Sequence, residues 1–549
     1  MKSVRYGLNW VDCPEAFDAD CENKIPVLTE VPEKAIAQND GKPTHILIEG
    51  DNYHALQCLN FTHRGRIDVI YIDPPYNTGS DGFTYKDKRF LEQYPNGEVI
   101  GKDHPLRHSA WLSFMEKRLM LAKDLLSDRG VIFMSIDDNE MANLKLLCDQ
   151  VFQEKNFVSD VIWHSKYTTS NDATGISRQH EHVLVYAKNI AKAKFGLLKR
   201  TADMDAAYKN PDNDPKGPWK ATPLHAKSGT DASLYTITFP NGRTWTAPKG
   251  RYPRYSKESL MRIYENGGLF FRKSGGIDRK TYLSEVKSGK TPGSIWSFED
   301  VGSTHQGNEE LADVLGKGVF DNPKPVELIK RCLVVGCATN DLTVLDFFAG
   351  SGTSLHATLL QNKEDSGCRR CILVQQKEGK DNVCERVTYE RNKKVIEGYK
   401  STKGEPIAPL GGSLKYYRTA FVGKHGCAGA LDEDRSELAE KAGCLLSLAE
   451  DTLQAEPVAK KNAKYWQHYS DGAHRHTLIY YSDDLAGFEA LSKKADALRA
   501  ADKAARLAVY VFTIGSADAF ENEFDDMRHI TIKPIPEPIL EIYKTINEG

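Results

Sequence analysis

The sequence predicts an α/β protein built on a doubly wound sheet, and three observations carry that expectation. Short apolar runs such as Ile67-Asp68-Val69-Ile70-Tyr71-Ile72, Val131 to Ile136 and Thr343-Val344-Leu345 have the length of buried strands. Segments with helical spacing lie between them: after Trp111, apolar Leu112, Met115, Leu119, Ala122 and Leu126 recur near one face, and Gly130 closes the segment. Two runs end in loops of special backbone, Asp73-Pro74-Pro75-Tyr76 and Asp346-Phe347-Phe348-Ala349-Gly350-Ser351-Gly352-Thr353.

Residues 1–44 read as an irregular N-terminal arm, because Pro14, Pro26, Pro32 and Pro43 limit regular structure. In 45–187, a strand from His45 ends in the Gly50-Asp51 turn. A helix from Tyr53 to about Asn60, the strand before Asp73, the helix after Trp111 and the strand Val131–Ile136 follow. A helix over about Asn139–Phe152 and strands Val158–His164 and His182–Ala187 complete this half. From 188 to 304 the rhythm breaks into short pieces rich in Gly, Pro and aromatics, as in an inserted domain. It returns in 305–425 with a helix opening at Asn322-Pro323-Lys324-Pro325, the strand delivering Asp346, the strand Cys371–Gln375 and a helix through Val383–Tyr399. The region 426–549 reads as a small α/β module: helical Ser436–Thr452, strands near Tyr465–Tyr469 and His476–Ser482, a helix over Asp484–Ala501 and the strand Leu507–Phe512.

With 549 residues, 40% hydrophobic and 27% charged, the chain has the composition of a globular protein of more than one domain. No apolar stretch approaches the roughly 20 residues that cross a bilayer, and Met1–Gly7 lacks a signal-peptide core, so a cytoplasmic protein is expected. Eleven cysteines at irregular spacings argue against a disulfide framework, and Cys368-Arg369-Arg370-Cys371 lacks a second ligand pair. There is no G-x-x-x-x-G-K-[ST] loop for ATP hydrolysis. The net charge of −3 conceals an asymmetry: Ala191–Lys290 holds 20 Lys and Arg against 9 Asp and Glu. Such a run is ordinarily a solvated surface. Interleaved Trp219, Tyr235, Trp245, Tyr252, Tyr255 and Tyr264 tilt the expectation toward nucleic acid, since rings can stack on bases.

Alone, D-P-P is a rigid turn after a strand, and the glycine loop could be any nucleotide-binding turn. Together, with D-P-P-Y first in chain order, they resemble the permuted (beta) class of S-adenosylmethionine-dependent amino-methyltransferases of DNA bases. The likeness is closest to the modification (Mod) subunits of type III restriction-modification systems, which methylate adenine N6. It extends through the Gly50-Asp51-Asn52 turn, Leu106–Leu112, His180–Ala187, Pro211–Trp219, Phe320–Pro325 and Gly411–Arg418, all in matching order, and more loosely to Pro536–Tyr543.

The resemblance implies a Rossmann-like methyltransferase sheet in permuted motif order, with 188–304 as the target-recognition domain. It places Asp346, Phe348, Gly350, Gly352 and Thr353 along S-adenosylmethionine, Lys324 and Pro325 near its methionyl end, and Asp51 and Asn52 near its adenosine. The strand after the glycine loop usually ends in an acidic ribose ligand; here it runs into Gln375-Gln376-Lys377-Glu378, so Gln375 takes that position. Implied partners are double-stranded DNA, a second copy of the chain and an ATP-dependent restriction (Res) subunit. Region 426–549 is then an association region, with a packed structural cap equally open.

The chemistry suits the catalytic quartet Asp73, Pro74, Pro75 and Tyr76. An exocyclic amine is a poor nucleophile because its lone pair is delocalised into the ring. The Asp73 carboxylate and the Pro74 carbonyl can each accept an amine hydrogen and localise that pair toward the methyl group. Consecutive prolines stiffen the turn, and Tyr76 can stack on an extracted base. No metal is required. Adenine N6 is favoured by resemblance alone. Cytosine N4, a recognition subunit guiding a nuclease, and, more weakly, RNA methylation are the alternatives. Asp212, Asp214 and Lys216 lack the strand a nuclease cluster needs. His180 and His182 share one strand face without a third ligand, as in a hydrogen-bonded sheet edge.

Overall fold

The computed structural model describes residues 8–12, 15, 21, 23–38, 40–78, 106–170, 173–377, 382–482, 484–513, 517, 520, 523–524 and 529–548. Met1–Gly7 and Glu378 lie outside them. The chain divides into two compact units, Leu197–Pro292 and the remainder.

The larger unit is mixed α/β around a ten-stranded mixed sheet. Its strands are β1 (Ile25–Glu30), β2 (Thr44–Glu49), β3 (Ile67–Ile72), β4 (Leu126–Ile136), β5 (Phe157–His164), β6 (His180–Ala187), β7 (Ile295–Trp296), β8 (Thr343–Asp346), β9 (Arg370–Gln375) and β10 (Ser413–Val422). Their spatial order is β1-β10-β2-β9-β8-β3-β4-β6-β5-β7. The centre, from β10 to β4, is parallel, while β6 and β1 run antiparallel to their neighbours. A strand covered on both faces reads as a continuous apolar run, and every residue of β3 is buried. Its one charge, Asp68, accepts hydrogen bonds from Ser127, Arg129 and the Thr343 backbone N–H.

Residues before His45 are not an irregular arm throughout. Pro26 sits in edge strand β1, opposite Phe421 of β10, where an edge tolerates a missing donor. Val131–Ile136 extends back to Leu126. The helices expected over Asn139–Phe152 and Val383–Tyr399 each contain a π-turn, at Asp149–Gln153 and Cys384–Tyr389. Ser436–Thr452 forms two helices, Asp432–Lys441 and Gly443–Glu450.

The C-terminal region carries a five-stranded sheet of Gln454–Glu456, Trp466–Ser470, Arg475–Tyr480, Arg506–Thr513 and Ile530–Pro536. Leu438, Leu445, Leu446, Ile539, Leu540 and Tyr543 join one buried core with Val27, Leu56 and Leu59, and the Tyr543 hydroxyl donates to the Pro26 carbonyl. Among the described helices none is long and apolar enough to cross a membrane.

The smaller unit holds a three-stranded antiparallel sheet of Leu269–Phe271, Ile277–Tyr282 and Trp219–Pro223, with its own core of Leu224, Ile237, Phe239, Trp245, Leu260, Leu269 and Ile277. Trp219 and Trp245 are buried, so these two rings are structural rather than stacking platforms. The Lys280 ammonium lies 2.6 Å from both Asp212 and Asp214, while Lys216 donates to the Asn266 carbonyl. The carboxylates are thus matched by a cation of the chain itself.

Candidate active site

Parallel pairing of β8 with β3 brings the two signature loops to the same end of adjacent strands, the carboxyl ends where α/β sheets bind ligands. Asp73 and Tyr76 leave the end of β3. The Tyr76 hydroxyl lies 2.9 Å from Asp73 Oδ1 and 2.9 Å from Glu181 Oε2 on β6. Lys324 Nζ stands 2.8 Å from the Asp73 carboxylate, 3.5 Å from Glu181 and 5.0 Å from the centre of the Tyr76 ring. Burial opposes the charge on Lys324, but Asp73 and Glu181 outweigh it and hold the ammonium above its usual range. Burial, reinforced by the same two carboxylates, keeps the Tyr76 phenol protonated.

The turn is fixed from behind. Trp111 Nε1 donates to the Pro75 carbonyl at 2.7 Å. Asn77, in the left-handed region at φ +55°, donates to Glu140 and accepts from Arg107. A cleft of about 420 Å³ is lined by Asp73, Pro74, Tyr76, Glu181, Phe320 and Lys324 among others. A larger groove of about 1160 Å³, lined by Trp10, Met120 and Ile542, contains none of the signature residues.

The glycine loop is equally constrained. Asp346 accepts from the Phe348 N–H and the Ser354 hydroxyl, and burial raises its carboxyl to about 7. Gly350 has φ +51°, and its N–H donates to Gln375 Oε1 at 2.7 Å. Gly352 has φ +76°, and a Cβ there would lie 2.3 Å from Asn392 Nδ2. Thr353 opens the 13-residue helix Thr353–Asp365, and its hydroxyl donates to the Lys324 carbonyl, tying the loop to the D-P-P-Y corner. Pro325 caps the helix Val326–Gly336.

Asp51 caps the helix Asn52–Thr62 by accepting the Tyr53 N–H. Asn52 donates to the Phe347 carbonyl and accepts from Arg118 Nε. Arg118 is fully buried and forms a two-pronged pair with Glu15 at 2.7 and 3.0 Å. Gln375 also braces the loop: its Oε1 accepts from the Gly350 N–H and its Nε2 donates to the Gln376 carbonyl.

Sequence reasoning missed Glu181 and Arg118. Glu181 had a signal, a carboxylate near the start of the strand-like run His180–Ala187; Arg118 had none, because its side-chain partners Asn52 and Glu15 come from distant segments. His182 faces the carboxylate of Asp160 through Nδ1 and that of Asp138 through Nε2, each carboxylate accepting from the ring. Asp138, His180 and His182 offer ligand atoms within 4.8 Å of one another, yet both ring nitrogens of His182 already face carboxylates.

A parallel-centred sheet with D-P-P-Y and a glycine loop on neighbouring strands defines a DNA methylase: the family model for DNA methylases matches residues 67–400, and the chain belongs to that family. Within it, this chain is a homologue of type III Mod subunits. It is 36% identical over 425 residues to the StyLTI Mod subunit of Salmonella typhimurium, covering 72% of this chain and 63% of that protein. It is 32% identical over 429 residues to the EcoPI Mod subunit of Escherichia phage P1, covering 69% and 64%. The type II methyltransferase M.KpnI of Klebsiella pneumoniae is 32% identical over 368 residues, covering 62% and 82%. The match thus spans just under two thirds of the length of the Mod subunits.

Proposed function

We propose that this chain is the modification and recognition subunit of a type III restriction-modification system, a site-specific methyltransferase acting on adenine N6 in double-stranded DNA. The observation that carries the reading is Asp73 held beside Tyr76 and Lys324, directly across from the glycine loop on β8. The loop fits S-adenosylmethionine. Two left-handed glycine positions, Gly350 and Gly352, precede a long helix whose first N–H groups suit a carboxylate, and Thr353 links them to Lys324.

S-adenosylmethionine supplies a methyl group already activated by its sulfonium. The chain's own task is orientation. Asp73 and the Pro74 carbonyl accept the amine hydrogens, the braced prolines hold that geometry, and the Tyr76 ring supports a base turned out of the duplex. Phe348, Gly350, Gly352 and Thr353 line the donor, with Asp51 and Asn52 toward its adenosine. We assign target selection to 188–304, where the exposed Lys and Arg give phosphate affinity and base-edge contacts give the word. A second copy and an ATP-dependent Res subunit complete the assembly.

Long-read sequencing of host DNA with the intact gene, without it and with Asp73→Ala tests this reading. Methyl-adenine at one short word, lost in the last two strains, is expected. Modified cytosine, or no change between strains, would overturn it.

A further inference from the structure

Among the described residues that line the cleft, four carboxylates (Asp73, Asp137, Glu181 and Asp321) accompany three cations, Lys166, Arg178 and Lys324. Arg178 pairs with Asp137 at 3.2 Å. The inner cluster is more unequal. Asp73 and Glu181 are joined by two 2.9 Å hydrogen-bond contacts to one hydroxyl, and among the described residues Lys324 is the ammonium that touches both. Glu181 is 15% exposed and Lys324 10%, so water relieves little of the charge on Glu181, while Asp73, at 28%, is better solvated.

We propose that Glu181 is a charge-balancing carboxylate of the methyl-transfer site, matched to the positive charge that a sulfonium donor brings in and transfers to the amine. This inference rests on the methyltransferase reading above. When the amine lone pair forms the N–C bond, the C–S bond breaks and its electron pair remains on sulfur. The positive charge therefore moves from sulfur to nitrogen, without leaving the site, until an N–H proton passes to Asp73 and on to solvent. Asp73 and Glu181 together carry one more negative charge than Lys324 neutralises, so the pair faces a single positive charge before and after transfer. Spent donor, a neutral thioether, lacks that charge. Glu181 is thus a positioning residue that favours the cationic donor over its product, acting through Tyr76 and Lys324.

The test is calorimetric titration of the full chain with S-adenosylmethionine and with S-adenosylhomocysteine. Glu181→Gln keeps an acceptor for the Tyr76 hydroxyl and removes the charge. The preference for S-adenosylmethionine over S-adenosylhomocysteine should fall about tenfold, chiefly through weaker binding of the former, as expected for the loss of one poorly screened opposite charge. Glu181→Asp should retain most of the preference. An unchanged ratio, or equal loss of both ligands as from a merely structural defect, would overturn the proposal. If Glu181→Gln does not fold, Glu181→Ser reads the same ratio. Wild-type protein that binds neither ligand would refute the methyltransferase reading itself, a different failure.

Discussion

Lys324 places its ammonium 2.8 Å from the carboxylate of Asp73, across 251 residues of sequence. The pair is buried on the lysine side and about a quarter exposed on the aspartate side. Replacing Lys324 by Met would leave two carboxylates beside Tyr76 without their cation. Removing one partner of a buried pair costs about 3–5 kcal/mol, and the exposure of Asp73 brings the expectation to roughly 2–4 kcal/mol. Urea unfolding of Lys324→Met checks it; a loss below about 1 kcal/mol would show that the pair is solvated.

Gly352 is constrained twice, by φ +76° and by Asn392 and Thr388 packed where a Cβ would stand. Gly352→Val should lower the melting temperature and weaken S-adenosylmethionine at least tenfold, because the loop must move before the ligand arrives. Gly352→Ala should already destabilise by more than about 1 kcal/mol, since alanine disfavours positive φ. Normal affinity in Gly352→Val would separate this turn from the donor site.

His182 is a pH-dependent fastening between β5 and β6. Its hydrogen bond to Asp160, with help from Asp138, outweighs burial and raises its pKa. A raised folded pKa means that the stabilisation is complete below the unfolded value of about 6.5 and fades as pH climbs through the folded value. The gap in melting temperature between wild type and His182→Asn should therefore be widest near pH 5.5 and narrow by pH 8.5. A gap that widens with pH would reverse the assigned charge state.

Deleting the chain after Gly426 removes Leu438, Leu445, Leu446, Ile539, Leu540 and Tyr543 from the core they share with Leu56 and Leu59. At roughly 1.5–3 kcal/mol for each such side chain, the loss rivals the whole stability of a domain. We expect an insoluble or unfolded product, read by light scattering and circular dichroism. A soluble truncation with an unchanged melt would show that this region only docks.

The centre of the fold was legible because its strands obey local rules. Ile67–Ile72, apolar but for Asp68, and Val344–Leu345 are short apolar runs of the kind that strands buried on both faces carry. Edge strand β1 was not, since Pro26 and Pro32 argue for irregular backbone and its partner, β10, lies almost 400 residues away. The quartet Asp73–Tyr76 and the glycine loop were legible from residue type. The hydrogen bond from Gly350 to Gln375 was not, because a side chain bonding to a loop N–H leaves no mark in the pattern. Nor did Trp219 and Trp245 announce that their rings are enclosed: aromatic spacing alone does not distinguish a small core from a surface that meets bases.

The strand order also bears on biosynthesis. β2 and β3 are made early, yet in the finished sheet β9 and β8 lie between them. At roughly 5–20 residues per second, translation reaches β8 about 14–54 s after completing β3. During that interval the nascent chain has β3 without its inner neighbour, an unpaired edge open to other strands. A message that stops before Thr343 would therefore be expected to yield a fragment with an exposed strand edge, prone to aggregation, rather than a smaller enzyme.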